Sequence, residues 1–183
     1  MARANYRFDI ALLPEGWKEN VRVSCDDDGT IDAIEAGSKG GNRISGAAVP
    51  AVPNVHCHAH QRLMAGLAER SGATADSFWT WREVMYGFAL RLTPEDLEAV
   101  AAQAYVEMLK AGYSCVGEFH YLHHQPAGQA YEEPAEMALR CVSAADQAGI
   151  AITLLPTLYA YSGFGGKPAL EGQRRFINSA ESF

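Results

Sequence analysis

The chain has 183 residues, enough for one domain with a small additional unit, and 48% of them are hydrophobic. This composition is typical of a packed globular protein and excludes a largely disordered chain. The 22 acidic and 15 basic side chains give a formal net charge of −7, which argues against nucleic acid as a partner. No apolar run has the length of a membrane span, and no signal-peptide core follows the N-terminus. We therefore expect a cytoplasmic protein with no membrane partner.

Four cysteines stand far apart in the sequence and form no CxxC pair: Cys25, Cys57, Cys115 and Cys141. This spacing resembles neither a zinc ribbon nor a disulfide framework. In a reducing compartment we expect four free thiols, mostly buried as small apolar groups.

Residues 1–48 predict a small β-rich domain. Strands are predicted at 6–13, 21–25 and 30–34 from short apolar stretches, the second with clear alternation of apolar and polar residues. The acidic turn at 26–29 predicts a hairpin between the second and third strands, and another turn is predicted at 38–42. No residue in this segment points to chemistry.

From residue 49 onward, strands and helices alternate. The predicted elements are a strand at 48–55, a helix at 94–111, a strand at 114–121, a helix at 134–148 and a strand at 150–156. The first helix has Thr93 as a plausible N-cap, Pro94 at its first position and Gly112 at its end. This order predicts right-handed βαβ units and a parallel sheet. The segment 70–88 is predicted to be a loop with helical pieces.

His56 and His58 follow the first strand of this region and are candidate metal ligands. Residues at i and i+2 of a strand point to the same face, so both imidazoles can bind one metal ion. Two such histidines can also be ordinary polar loop residues, but parallel α/β folds place their chemistry at the carboxyl ends of strands. Cys57 is expected to point away and pack. His60 would share the face of the two histidines if the strand continued; we expect a turn that leaves it near the pocket instead.

The end of the next strand carries a second polar group of residues. Glu118 and His120 fall on one face of this strand. Phe119 and Tyr121 fall on the other face. The hydroxyl of Tyr121 can form a hydrogen bond either to a substrate or within the protein, and the sequence favours neither interpretation. The carboxylate, the imidazole and the phenol offer acid–base and hydrogen-bonding groups. The histidines at 123–124 are expected to lie in a solvated loop.

Several segments carry a resemblance to a known family. Residues 50–58 resemble the signature Pro-Gly-apolar-apolar-x-x-His-x-His of the amidohydrolase superfamily. The wider pattern resembles, more narrowly, the N-formimino-L-glutamate deiminase family of histidine degradation. The segments concerned are 54–66, 76–86, 118–124, 154–159, 163–166 and 171–178.

The resemblance implies an α/β fold in which 49–183 form strands one to three of an amidohydrolase-type (β/α)8 TIM barrel. Residues 1–48 would form part of a small β-sandwich domain. It also implies one divalent metal ion, usually zinc, held by His56 and His58 with a histidine and an aspartate from later strands. Water activated by the metal would attack the formimino carbon, and ammonia and N-formyl-L-glutamate would be the products.

The resemblance further implies which residues bind the small-molecule substrate. Arg82 is the candidate for clamping a carboxylate, because a guanidinium binds carboxylate in bidentate fashion; without the resemblance it would be taken as a solvated helix charge. Gln61 and Tyr121 would orient the formimino or amino-acid part. Relatives of this kind imply a homodimer for the full-length enzyme.

The catalytic residues of this family belong to later strands, so we expect none within this chain. The sequence is therefore interpreted as an N-terminal portion that is inactive alone and, because it would expose an apolar sheet edge, prone to aggregate. One alternative is another amidohydrolase, such as an aminopurine or guanidine-type deaminase. A metal-binding or scaffolding remnant without catalysis is a second. A complete small flavodoxin-like domain would need more strands.

Overall fold

The computed structural model describes residues 4–68 and 77–183. The chain divides into two compact units, Met1–Ala51 and Val52–Phe183. The sequence predicts the boundary three residues earlier, between residues 48 and 49. No helix in the described ranges is long and apolar enough to span a lipid bilayer.

The first unit is a four-stranded sheet in the order β3-β2-β1-β4. Its strands are β1 (Ala4–Leu13), β2 (Gly16–Cys25), β3 (Ile31–Glu35) and β4 (Asn42–Ala48). The first three strands pair antiparallel and confirm the three predicted strands and the hairpin, whereas β4 lies parallel to β1. The sequence did not predict β4, because its mostly exposed polar and small residues give no apolar alternation.

The second unit contains a parallel sheet in the order β5-β6-β7. Its strands are β5 (Val52–Cys57), β6 (Tyr113–His120) and β7 (Ala151–Pro156), and its helices are α1 (Phe78–Ala89), α2 (Pro94–Lys110) and α3 (Glu136–Ala148). Two short 3₁₀ helices, Ala59–Met64 and Glu171–Gln173, complete the described elements. The predicted order of strands and helices and the parallel pairing are confirmed.

Helix α1 is continuous, where the sequence predicts a loop with helical pieces. Its N-terminus has a capping box: Thr80 N donates to Ser77 Oγ (3.3 Å) and Ser77 N donates to Thr80 Oγ1 (3.0 Å). The prediction failed because aromatic residues and Gly87 have low helix propensity, and because threonine replaces the usual Glu or Gln of a capping box. The part of that prediction over 70–76 lies outside the described residues.

Helices α2 and α3 pack against each other and cover one face of the sheet. Alternate residues of β6 are buried on that face: Val116, Glu118 and His120. The residues between them point the other way, because successive side chains of a strand alternate between faces. The covering helices therefore decide which side chains of β6 are available to a site at the carboxyl end of the sheet.

Gly117 lies where β6 passes very close to β5. A Cβ atom at this position would lie 3.0 Å from the carbonyl oxygen of Val55. We expect Gly117→Ala to lower the free energy of unfolding in urea by about 1–3 kcal/mol, because the crowded backbones must move apart. Gly87 in α1 is the control: an added Cβ there meets no atom within 4 Å. Gly87→Ala should raise stability by up to about 1 kcal/mol through helix propensity. Equal effects of the two substitutions would contradict this reasoning.

Candidate metal and substrate site

The two histidines that follow β5 converge at the carboxyl end of the parallel sheet. The Nε2 atoms of His56 and His58 lie 3.1 Å apart, and the ring planes are nearly perpendicular. Zinc binds imidazole nitrogen at about 2.0–2.1 Å, so one ion can reach both nitrogens across this gap. The pair therefore fits two ligands of a single metal ion.

The orientation of His58 is set by β6. Its Nδ1 lies 2.7 Å from the carbonyl oxygen of Phe119, which can only accept a hydrogen bond. Nδ1 must therefore carry the proton, and Nε2 presents its lone pair towards His56. Burial lowers the pKa of His58 and favours the neutral imidazole, which is the form that binds metal.

Glu118 supports the turn that follows His58 from the opposite face of β6. Ala59 N donates to Glu118 Oε1 (2.7 Å), and the hydroxyl of Tyr105 donates to Oε2 (3.2 Å). The thiol of Cys57 also donates a hydrogen bond to this carboxylate. Cys57 packs on the same side of the sheet, as expected for the residue between the two histidines. Glu118 is only 1% exposed, and burial raises its pKa. The sequence offers Glu118 as an acid–base or hydrogen-bonding group at the strand end. In the structure its carboxylate faces the helices and holds the backbone of the turn.

His120 is likewise buried under the helices, with Nδ1 3.7 Å from the sulfur of Cys141. Burial lowers the pKa of His120 to about 3, below the value of about 6.5 in an unfolded chain. The stability that this neutral histidine contributes is therefore complete above pH 6.5 and declines as the pH falls towards 3. Between pH 7 and 5.5 we expect a loss of about 1 kcal/mol from this residue.

Urea unfolding across this pH range tests the contribution of His120. The variant His120→Gln carries no group that titrates there, so its stability should fall less steeply with acidification than that of the parent protein. Identical slopes would show that His120 is not held neutral by the fold.

A cavity of about 330 Å³ lies beside His58 and is lined by the three predicted substrate-binding residues, Gln61, Arg82 and Tyr121. Gln61 Nε2 donates to the hydroxyl of Tyr121 (3.0 Å), and the Tyr121 ring centroid is 4.9 Å from that of His58. Gln61 lies in the 3₁₀ helix Ala59–Met64, Arg82 lies in α1, and Tyr121 directly follows β6. The structure thus brings the predicted metal ligands and substrate-binding residues to one side of the sheet.

Arg82 lies on α1 with its guanidinium over two aromatic rings. Its Cζ is 4.6 Å from the Trp79 ring centroid and 5.5 Å from that of Tyr86. No ion pair joins Arg82 to a carboxylate within 4–68 or 77–183. The rings hold the side chain by cation–π contact and leave its N–H groups able to bind an anion.

Three further histidines of this region are His60, His123 and His124. The chain turns into the 3₁₀ helix directly after His58, as predicted, and His60 is 4% exposed with its ring 6.1 Å from that of His58. The expectation that His123 and His124 lie in a solvated loop is wrong. Both are half-buried, and their Nε2 atoms lie 3.1 Å from Thr157 O and 2.8 Å from Ile177 O, respectively. They tie the loop after β6 to neighbouring backbone.

Comparison with known proteins places this chain in a family. Residues 9–43 match the family model described as formimidoylglutamate deiminase HutF, N-terminal domain. The chain is 56% identical over 175 residues to a formimidoylglutamate deiminase of Pseudomonas aeruginosa, covering 94% of this chain and 39% of that protein. A crystal structure of an amidohydrolase from Brucella melitensis superposes with a TM-score of 0.91 at 53% identity, covering 98% of this chain and 40% of that one. The chain belongs to the amidohydrolase superfamily.

Within the amidohydrolase superfamily, the chain matches the N-terminal portion of formimidoylglutamate deiminases. It spans 39% and 40% of the lengths of the two proteins just named. The zinc complex of atrazine chlorohydrolase TrzN from Arthrobacter aurescens TC1 superposes with a TM-score of 0.71 at 15% identity, covering 98% of this chain and 40% of that one, and so shares the fold. The predicted fold class is confirmed: the parallel βαβ unit is the first part of an amidohydrolase (β/α)8 barrel.

Sequence reasoning missed three residues in or next to this cavity. Tyr86 and Tyr159 line the cavity, and the amide Nε2 of Gln173 donates to both of their hydroxyls at 2.9 Å. Gln173 is separated from Tyr86 by 87 positions in the sequence. No local pattern could have joined these residues, because only the folded chain brings them together.

Proposed function

We propose that this chain supplies the first metal ligands and part of the substrate pocket of a formimidoylglutamate deiminase. The reaction is the hydrolysis of N-formimino-L-glutamate to N-formyl-L-glutamate and ammonia. One observation carries the proposal: Arg82, which has no carboxylate partner in the described ranges, shares a cavity with His58 and the Gln61–Tyr121 pair. A cation and a candidate metal-binding imidazole that line the same cavity suit a substrate with a carboxylate and a group to be hydrolysed.

We propose zinc as the metal, held by His56 and His58. Their nitrogens converge, and the Phe119 carbonyl keeps the Nε2 of His58 free to coordinate. No group of three or more potential ligands lies together within the described ranges, so the remaining ligands would come from the rest of the full-length enzyme. The zinc bound by TrzN supports this choice of metal. With zinc held by these histidines, the site would have a water nucleophile available at neutral pH.

The chain's own polar side chains would bind and orient the substrate. Arg82 would bind a carboxylate through paired N–H groups, while Trp79 holds the guanidinium in place. The hydroxyl of Tyr121 accepts from Gln61, which leaves its own proton to donate to the substrate. Burial raises the pKa of Tyr121 to about 12, so that this phenol remains a donor at neutral pH.

The full-length enzyme would act in the cytoplasm, as a homodimer, in histidine degradation. The decisive measurement is ammonia release from N-formimino-L-glutamate by the full-length, zinc-loaded enzyme, compared with this chain alone. We expect turnover from the enzyme and none from the chain. Ammonia release from an aminopurine or a guanidine, with none from N-formimino-L-glutamate, would show that the proposed substrate is wrong. Turnover by the chain alone would refute the assignment of catalytic residues to later strands.

A further inference from the structure

We propose that the hydroxyl of Tyr159 donates a hydrogen bond to a carboxylate of the substrate, and that Gln173 is the positioning residue for that hydroxyl. The inference rests on the proposed function and deepens it, since it adds a second group beside Arg82 that recognises the acidic part of the substrate.

The orientation of the Gln173 amide is determined by its neighbours. Its Oε1 accepts from Leu170 N (2.7 Å), so the NH₂ group is on the opposite side. Both hydrogens of Nε2 are then used by the hydroxyls of Tyr86 and Tyr159. Gln173 is completely buried. The opposite orientation of its amide would turn the oxygen towards the two hydroxyls and bring the NH₂ group against the backbone N–H of Leu170, so that two donors would face each other without an acceptor.

The hydroxyls of Tyr86 and Tyr159 both keep a proton to donate. Each oxygen accepts from Gln173, so each phenolic proton must be donated elsewhere. Burial raises the pKa of Tyr86 to about 12, so this phenol remains protonated at neutral pH. Among the residues that the structure describes, no hydrogen bond gives the proton of Tyr159 an acceptor.

The hydroxyl of Tyr159, with its proton to donate, belongs to a side chain that lines the cavity. Tyr159 is half-buried there, and Arg82 lies on the same side, over the ring of Tyr86. No carboxylate of the described chain lines this cavity. Arg82 can only donate hydrogen bonds, and Tyr159 has a proton to donate, so a ligand bound between them must supply the acceptor. A carboxylate only accepts hydrogen bonds and is therefore the ligand group that matches.

The variant Tyr159→Phe of the full-length enzyme tests this assignment, because it removes one hydroxyl and keeps the ring. We expect KM for N-formimino-L-glutamate to rise about 10- to 100-fold, as for loss of a hydrogen bond to a charged group, with kcat changed less than about twofold. Two analogues identify the contact: N-formimino-4-aminobutanoate lacks the α-carboxylate, and N-formimino-L-2-aminobutanoate lacks the side-chain carboxylate. The rise in KM should disappear with one analogue and persist with the other.

The same KM ratio for all three substrates, or an unchanged KM, would overturn the inference. Tyr113→Phe, at the opposite end of β6, is the matched control and should leave KM unaltered. Gln173→Leu should raise KM in the same way and add nothing when combined with Tyr159→Phe; additive effects would exclude the positioning role. If the unmodified enzyme releases no ammonia from N-formimino-L-glutamate, the proposed function fails and this inference with it. If the unmodified enzyme is active and Tyr159→Phe leaves KM unchanged, only the inference about Tyr159 is refuted.

Discussion

Replacing Arg175 by alanine is expected to lower the free energy of unfolding by about 3–5 kcal/mol, a large part of the stability of a small domain. The side chain is completely buried. Its guanidinium donates to the carbonyl oxygens of Ala89, Leu92 and His124 and to the hydroxyl of Tyr131. Alanine would leave these acceptors without donors. The carbonyl groups of Ala89 and Leu92 belong to buried residues, and each buried acceptor left unpaired costs about 1–3 kcal/mol.

No carboxylate neutralises this buried cation within the described ranges; carbonyl groups do so instead. Ala89 is the last residue of α1, where helix carbonyls carry partial negative charge. Burial lowers the pKa of Arg175, but an arginine side chain stays protonated in proteins. The residue thus joins the end of α1 to the loop after β6. Since α1 carries Arg82 and Tyr86, the same contacts hold one wall of the cavity beside His58.

Urea unfolding followed by tryptophan fluorescence measures the effect, and the neighbouring arginine is the control. Arg174 is partly exposed and pairs with Glu171 at 2.8 Å. Arg174→Ala should cost less than about 1 kcal/mol, because exposed ion pairs contribute little. Similar losses in the two variants would mean that the buried contacts of Arg175 contribute nothing beyond those of a surface arginine.

The parts of the fold that could be predicted have local causes. Thr93 and Pro94 begin α2 with a cap and a fixed φ, and Gly149 ends α3 in the left-handed conformation, so both helices are visible in short windows of sequence. Helix α1 depends on tertiary burial instead. Its residues Met85 and Tyr86 pack into the core, which offsets their modest helix propensity. Propensity alone could not show this.

The residues of the candidate site also divide into those that a local sequence pattern shows and those that only the folded chain brings together. His56 and His58 could be found because a period of two is a property of any strand. The same period places Glu118 and Phe119 on opposite faces, but it does not say which face the helices cover. The sequence therefore could not show that Glu118 supports the turn after His58 from beneath the helices. Gln173 could not be found at all, since its role exists only through contacts between segments distant in the sequence.

Removal of the His58 imidazole should have the largest effect on metal binding and activity. We expect His58→Ala in the full-length enzyme to weaken zinc binding by at least about 100-fold and to abolish ammonia release. Loss of a ligand should exceed the 10- to 100-fold cost of losing a supporting hydrogen bond. His58 is also the better oriented of the two histidines, because the Phe119 carbonyl holds its Nδ1 at 2.7 Å.

Competition with a chromophoric zinc chelator measures this affinity, and Cys57→Ala is the matched control. Cys57 stands between the two histidines, but its thiol bonds Glu118 under the helices, and burial raises its pKa so that no thiolate is available to a metal. Cys57→Ala should therefore keep zinc affinity within a few fold of the parent. Zinc retained by His58→Ala, or lost from Cys57→Ala, would contradict the assignment. The residues at 57 and 58 are adjacent, so a difference between the variants reports which face of the strand end holds the metal.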